Sequence, residues 1–475
     1  MKYFLLFFLL FFVACSSKTT QNQELSLNTT QEVSLEEISQ QEEAEEILSE
    51  EEKEIEKKHY TGLEFEQNVS ILPILQTSFK NNSQNYKSYF FRPWHSSFKN
   101  IKSKNLFWSF KSYKNPKNRY FFFNKQRIPK SWFNTQINNA NIKAFGSVNK
   151  KALIIQNTML KNFPTTQAIL KNPFFENEGI PFDYANDNVL NAGSPVLISH
   201  YTKDKKFAYV MAESGFGFVL TKNLELFTDT RANTYENLNF ITPIKEKVPV
   251  YSENNKFFFE TRIGAIYPYY KSDDKFYYGK IGPKKYKISK KNAQKFPISF
   301  QELNVKNQIS QMLSLPYGWG GYAFERDCSM LTREFFTAFG IYLPRNSASQ
   351  SKFAKNYDIS FLDNERKKEF IRMFAKPYLT LMYLKGHIML YIGQIDNEPS
   401  VLHSVWGLRR GSMGHGRFLI AKSALTTLEI GKGLISPENS LLYRLKELSF
   451  VNLDEDEQME IENYLDSIKN LNVSK

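Results

Sequence analysis

Between residues 151 and 232 the apolar positions fall in short runs, "KALIIQNTML", "GSPVLISHYT", "KFAYVMAES" and "GFGFVLTKNL", separated by the turn-formers "NAGS", "KDKK" and "SGFG". Short β-branched and aromatic runs at that spacing predict a small all-β barrel. Residues 233–295 repeat the texture in "KVPVYSE", "FFFETRIGAIYPYYKS" and "KFYYGKIG" and predict a second barrel. The segment before them, 59–150, is dense in aromatics and Lys without clean alternation, as in "YFFRPWHSSF" and "SWFNTQI", and reads as mainly helical.

From residue 296 to 475 the pattern turns to α+β. "ISFQELNVKNQISQMLSLPY" predicts a helix ending at Pro316. Leu331, Phe335, Ala338 and Phe339 then recur at helical spacing, Asp327 suits the N-cap and Gly340 the C-cap, so Cys328 falls in a first turn. Further on, His387, Met389 and Tyr391 alternate with Ile388, Leu390 and Ile392, the period of a strand. Val401, His403 and Val405 do the same against Leu402, Ser404 and Trp406, and "DNEP" between them reads as a turn. Both histidines are odd-numbered. Pairing odd with odd sets both imidazoles on one sheet face, one diagonal step apart, and that face is expected to meet the start of the cysteine's helix.

The N-terminus adds an address. "MKYFLLFFLLFFVACSSK" has a positive Lys2, an apolar run from Tyr3 to Val13 too short to span a bilayer as a mature helix, and the small Ala14 before Cys15. Residues 1–14 read as a signal peptide and Cys15 as the lipidated residue of a bacterial lipobox, with Phe12 departing from the usual Leu. Ser16 rather than Asp after the cysteine points to the outer membrane facing the periplasm, the inner membrane being the alternative. Residues 15–58 are a polar, then acidic tether.

Removing the tether changes the charge balance. The chain holds 62 Lys and Arg against 49 Asp and Glu; the first 58 residues contain 5 Lys and 13 Glu, leaving 57 basic and 36 acidic residues, or +21. An exported basic body suits an anionic wall polymer or lipid headgroups, although the same excess also serves solubility. No nucleic-acid motif is present, which sets that partner aside.

With Cys15 assigned to lipid, Cys328 has no disulfide partner. Six scattered histidines, at 59, 95, 200, 387, 403 and 415, make a metal site a poor reading, and no cofactor motif is seen. An isolated Cys is commonly a small buried hydrophobe. Here it stands at a helix start, where N–H groups and the dipole lower a thiol's pKa, after a Gly-rich approach, "YGWGGY", that lets a substrate backbone come close. Two histidines on one face supply a base and an orienting partner.

"WGGYAFERDCSMLTREFFTAFGIYLPRNSASQ", "GHIMLYIG" and "LHSVW" together resemble the NlpC-type (NlpC/p-sixty) bacterial cell-wall cysteine peptidases. "RPWHSSF", "KKALIIQNTMLKNFPTTQ", "EGIPFDY" and "LNAGSPVLISHYTKDKKFAYV" resemble its multidomain branch. The resemblance implies a helical stabilising region at 59–150, SH3-like barrels at 151–232 and 233–295, and a papain-like α+β peptidase at 296–475. It implies cleavage of peptidoglycan stem peptides, typically between D-γ-glutamate and a diamino acid, with no cofactor and no metal. Matched to the family's motifs, Cys328 is the nucleophile, His387 the base and His403 the orienting residue. The Cys328 N–H and Tyr317 are expected at the oxyanion, Trp319 at the cleft wall, and Asp327 and Ser329 beside the nucleophile. Met330 replaces a frequent Gly.

Relatives that read a free N-terminal amine carry Asp-Ser after "LPR"; Asn346 and Ser347 stand there in this chain. Asn lacks the charge, so weak discrimination between free and glycan-linked peptides is expected. Two other readings stay open: a wall-binding lipoprotein with a silent peptidase domain, and an amidase or acyltransferase on the same scaffold.

Overall fold

The computed structural model describes residues 67–76, 79, 83–175, 178–409 and 416–473. The expected signal peptide, Cys15, the expected tether, His59 and His415 lie outside the described residues. Among the described residues no helix is long and apolar enough to cross a membrane.

Three short helices, Ser83–Phe90, Trp108–Lys114 and Lys130–Asn139, and several 3-10 turns make up the N-terminal region. Their aromatic residues are core. Phe110, Tyr113 and Phe133 pack with Phe163, Tyr209 and Phe218 of the first β region, while Phe90, Phe91 and Trp94 pack with Phe240 and Tyr267 of the second. Density of aromatics without periodicity therefore reflects short segments that each serve a different neighbour.

The first β region is a seven-stranded antiparallel sheet. Its chain order runs Lys150–Ile154, Thr158–Lys161, Asn186–Leu190, Pro195–Tyr201, Phe207–Ala212, Gly215–Leu220 and Leu224–Leu226. Ala152, Ile154, Leu160, Ile198, Val210 and Val219 fill its interior. The second β region, from Asn239 to Lys295, consists of three small antiparallel sheets around Phe258, Phe259, Tyr267 and Tyr286.

The last region holds a six-stranded antiparallel sheet, ordered Lys355–Asp358, Glu447–Phe450, Thr380–Leu384, His387–Ile395, Glu398–Arg409 and Arg417–Thr427. Helices Glu302–Met312 and Cys328–Ala338 share a core with one face, through Ile388, Leu390, Ile392 and Leu402. Helices Asn364–Phe374 and Glu455–Val473 share a core with the other, through Met389, Tyr391, Val401 and Val405. The even-numbered strand residues thus face the cysteine's helix and the odd-numbered ones face away from it. The body of the cysteine's helix therefore packs on the face opposite the imidazoles, while its first residue, Cys328, lines one cleft with His387.

Every residue of helix Cys328–Ala338 is buried. Its charged members are paired with residues of both β regions. Glu334 takes Arg262 (Nε to Oε1, 3.0 Å) and Arg326 (Nε to Oε2, 2.5 Å), Arg326 reaches Glu246 at 3.0 Å, and Arg333 pairs with Glu213. Removing one partner of such a buried pair costs about 3–5 kcal/mol, because the other charge is left unpaired. The ion network joins the helix to both β regions.

Candidate functional site

Cys328 is the first residue of its helix, and Asp327 is the N-cap, accepting the Met330 N–H at 2.9 Å. Asp327 is also a hub. The Gly320 N–H donates to it at 3.0 Å, the Ser329 hydroxyl at 3.2 Å, and Arg345 grips both oxygens at 3.0 and 2.6 Å. Burial pushes its carboxyl up, but the Arg345 guanidinium and the backbone donors outweigh that and hold it below the ordinary value. Arg345 also donates to Ser329 Oγ at 2.8 Å and to Asn188 of the first sheet at 2.9 Å. Sequence reasoning missed Arg345, which stood in plain view in "LPR". Met330 is fully buried, with its sulfur 3.1 Å from an Arg262 nitrogen.

The lowered thiol pKa expected from the helix start is not found. Burial pushes the Cys328 thiol up to about 12 and the Asp327 carboxylate adds to it, against weaker help from the Ile388 and Ser329 N–H groups and Arg345. A helix dipole lowers a pKa most where the group is solvated; here the thiol is buried and the cap is itself an anion. The Gly-rich approach also serves another purpose. Gly320, at φ 59°, lies so close to the first sheet that a Cβ would sit 2.3 Å from the Asn186 carbonyl oxygen, and Asn186 Nδ2 donates to its carbonyl at 2.7 Å. The glycine admits a neighbouring strand of this chain.

The two histidines meet as the alternation predicts. Leu390 pairs with Leu402 and Tyr391 with Val401, a register that sets His387 and His403 one diagonal step apart. The turn is Asp396-Asn397, both at positive φ (50° and 62°), while Glu398 already begins the next strand. His387 Nε2 lies 2.8 Å from His403 Nδ1, and His403 Nε2 lies 3.1 Å from Thr426 Oγ1, a partner the sequence did not reveal. Burial, then the Arg444 charge, lowers His387 to about 4; burial, then His387, pushes His403 well below its usual value. His387 follows a tight turn, Lys385-Gly386 with Gly386 at φ 86°, and so begins its strand at the rim of the cleft that Cys328 also lines.

The cleft has two lobes that share Tyr317, Trp319, Cys328 and Gly386. One, of about 620 Å³, runs beneath the first sheet past Asp187, Asn188, Arg345, Asn346 and Ser347. The other, of about 320 Å³, contains His387 and Trp406. Trp319 is 38% exposed and packs on Phe182 at 5.3 Å, so it is a wall as expected. Burial, then the Cys328 and Asp327 charges, push the Tyr317 hydroxyl well above its usual pKa, so it keeps its proton.

Asn346 is exposed, and its side-chain oxygen caps the short helix Ser347–Ser351 by accepting the Ser349 N–H at 2.8 Å. Two carboxylates line this lobe: Asp327, held by Arg345, and Asp187, hydrogen-bonded by Asn162 at 3.1 Å. Burial raises Asp187 to about 6, against the opposing Asn162 bond and Arg345 charge. It lies in a strand far along the chain from Cys328, and no local pattern marked it.

A thiol opening a helix, with an imidazole on the adjacent antiparallel sheet and a second polar residue behind it, is the layout of a papain-like cysteine hydrolase. Four family models match the chain in order. They are the NLPC_P60 stabilising domain, N term (residues 4–145), the SH3 domain of SH3b1 type (169–220), the SH3 domain of SH3b2 type (229–274) and the NlpC/P60 family (314–405). The chain is a multidomain NlpC/P60 protein, with two SH3-like barrels ahead of a papain-like α+β domain, and its class is that of the cell-wall cysteine peptidases.

Among solved structures, an NlpC/P60 endopeptidase from Photobacterium damselae subsp. piscicida is similar at TM-score 0.68 and 21% identity, over 82% of this chain and 97% of that one. An NlpC/P60 family protein from Bacillus cereus ATCC 10987 matches at TM-score 0.45 and 17% identity, over 64% of this chain and 100% of that one. The first shares the fold. No curated protein sequence matches.

Proposed function

We propose that this chain is a peptidoglycan stem-peptide endopeptidase, with Cys328 as nucleophile, His387 as base and His403 as orienting residue, cutting the D-γ-glutamyl–diaminopimelate bond. The observation that carries the reading is the 2.8 Å contact between His387 and His403 in the cleft that holds the thiol. It supports one proton arrangement. With His403 Nε2–H donating to Thr426, its Nδ1 accepts the His387 Nε2–H, and His387 Nδ1 keeps a lone pair for the thiol proton.

The resting groups are then all neutral. Sulfur attacks the γ-carbonyl carbon as its proton passes to His387, and the oxyanion is held by the Cys328 N–H, which has no acceptor within the helix, and by the Tyr317 hydroxyl. Collapse breaks the C–N bond, and His387 returns the proton to the departing amine. Water, losing a proton to His387, then attacks the thioester and frees the γ-carboxylate and the thiol. A neutral His403 orients the ring but stabilises the imidazolium less than a carboxylate does.

In the larger lobe Asp187 is the group for a substrate ammonium, since the Asn346 oxygen is engaged as a cap. The substrate is then a muropeptide or free stem peptide. The protein sits in the periplasm on a lipid at Cys15, and no cofactor or metal takes part. Digestion of purified peptidoglycan with mass analysis tests the reading. New diaminopimelate amines are expected from the wild type and none from Cys328→Ala; no products from the wild type sink it. The high thiol pKa favours a second reading, a wall-binding scaffold with a silent site. That reading expects the wild type to bind sacculi and leave them undigested.

A further inference from the structure

The positive charge of this chain is concentrated in one stretch. Residues 67–175 hold 18 Lys and Arg and not a single Asp or Glu, whereas residues 176–475 hold 39 basic and 34 acidic side chains. Some of these cations are engaged: Lys151 pairs with Asp229, and Lys161 with Asp183. Lys117, Arg119, Lys125, Arg127 and Lys171 are exposed, and among the described residues none of the five has an acidic partner. The acidic residues that follow point elsewhere: Glu178 acts on Tyr184, and Asp183 is taken by Lys161.

The five cations belong to two turns that are tied together. In the first, the Phe122 N–H donates to the Gln126 carbonyl at 2.9 Å and the Lys125 N–H to the Phe122 carbonyl at 3.0 Å, which leaves Phe123 at the tip. Phe121 and Leu170 exchange N–H···O bonds of 2.8 and 2.9 Å, and so set the second turn, 171–175, alongside. There Phe174 meets Phe121 edge-on at 6.4 Å and carries Lys125 Nζ 5.4 Å above its ring. Phe123 is 55% exposed and Phe174 68%. One exposed ring is ordinary; two on adjoining turns, in a stretch without any acid, call for a partner.

Aromatic rings backed by Lys and Arg suit an anionic bilayer, where the rings enter the boundary between headgroups and acyl chains and the cations stay at the phosphates. A sugar polymer asks instead for a groove with hydrogen-bonding groups. These rings stand on turns, carry no polar atom and line neither lobe of the cleft. We propose that the two turns form a docking patch for an anionic lipid surface, with Phe123 and Phe174 as the inserting rings and the five cations as the headgroup contacts. The proposal is independent of the peptidase reading and of any lipid at Cys15. The chain runs on from Phe174 to Phe182 and Tyr184 in the smaller lobe, so docking here holds the cleft close to the bilayer.

Hydrogen–deuterium exchange on the full-length protein tests the patch. The apolar run at 3–13 favours association with any bilayer, so vesicles of phosphatidylcholine alone are compared with vesicles that also contain phosphatidylglycerol. Exchange at 121–127 and 171–175 is expected to be slower by at least about fivefold on the anionic vesicles, and the difference should shrink as salt is raised. Phe123→Ser with Phe174→Ser should abolish the protection and leave the melting temperature unchanged, because both rings are already exposed. Lys125→Gln with Arg127→Gln should bring the two kinds of vesicle within about twofold of each other. No slowing at the turns, slowing that survives the Phe substitutions, or the same slowing in helix Glu455–Val473 overturns the proposal. Equal protection by lipid-free sacculi assigns the face to a wall polymer and overturns it as well.

Discussion

At the end of the cleft beneath the first barrel, the charges balance one another: Arg345 is held by Asp327 and Asn188, and Asn162 bonds Asp187. At the other end, Arg409, Arg417 and Arg444 line one lobe together with Lys385. The first arrangement builds structure and leaves one carboxylate, Asp187, facing the space.

The largest effect comes from removing what lies between the two ends. Cys328→Ala should reduce turnover below detection while both ends still bind, so peptide affinity measured by titration should stay within about threefold of wild type, or roughly 0.7 kcal/mol. A large loss of affinity would mean that the thiol site and the binding ends are not separable. His403→Ala comes next. An orienting residue should cost about 100-fold in kcat with little change in KM, because general acid–base assistance contributes about 10²–10⁴-fold in all.

Asp187→Asn sharpens the contrast between the ends. A charge-assisted bond to an ammonium is worth about 1.5–3 kcal/mol, so kcat/KM should fall at least tenfold for a free stem peptide and hardly at all for an N-acylated one. The pH profile separates the groups. Asp187, raised to about 6, must be ionised to hold the ammonium, so activity on a free peptide should fall as pH drops through about 6. An N-acylated peptide needs only neutral His387, lowered to about 4, so its acid limb should lie near 4. Superposable profiles would show that Asp187 does not read the amine. The smallest effect belongs to Asn346→Asp. Both residues cap helices well, so the melt should not move, and preference for free peptide should rise about two- to threefold, under 1 kcal/mol.

What could be read from the sequence was what depends on near neighbours in the chain. Asp327 capping Cys328, and the odd-numbered pairing of His387 with His403, follow from helix and strand periods alone. What escaped depends on contacts between distant segments. Which sheet face the cysteine's helix covers is decided by Ile388, Leu390 and Leu402 packing with Leu331 and Phe335. The thiol's raised pKa comes from burial, and Gly320 is a glycine because Asn186 lies against it. Thr426, Asp187 and the three arginines join the site through register and domain packing, neither of which leaves a local signature.

Helix Cys328–Ala338 keeps no surface of its own, and its Arg333 and Glu334 are held by Glu213 of the first β region and Arg262 of the second. The peptidase is therefore not a portable cassette. Transplanted onto another chain, it would arrive with an arginine and a glutamate whose counterparts stayed behind, and exchange with a single-domain relative would require both positions to change together.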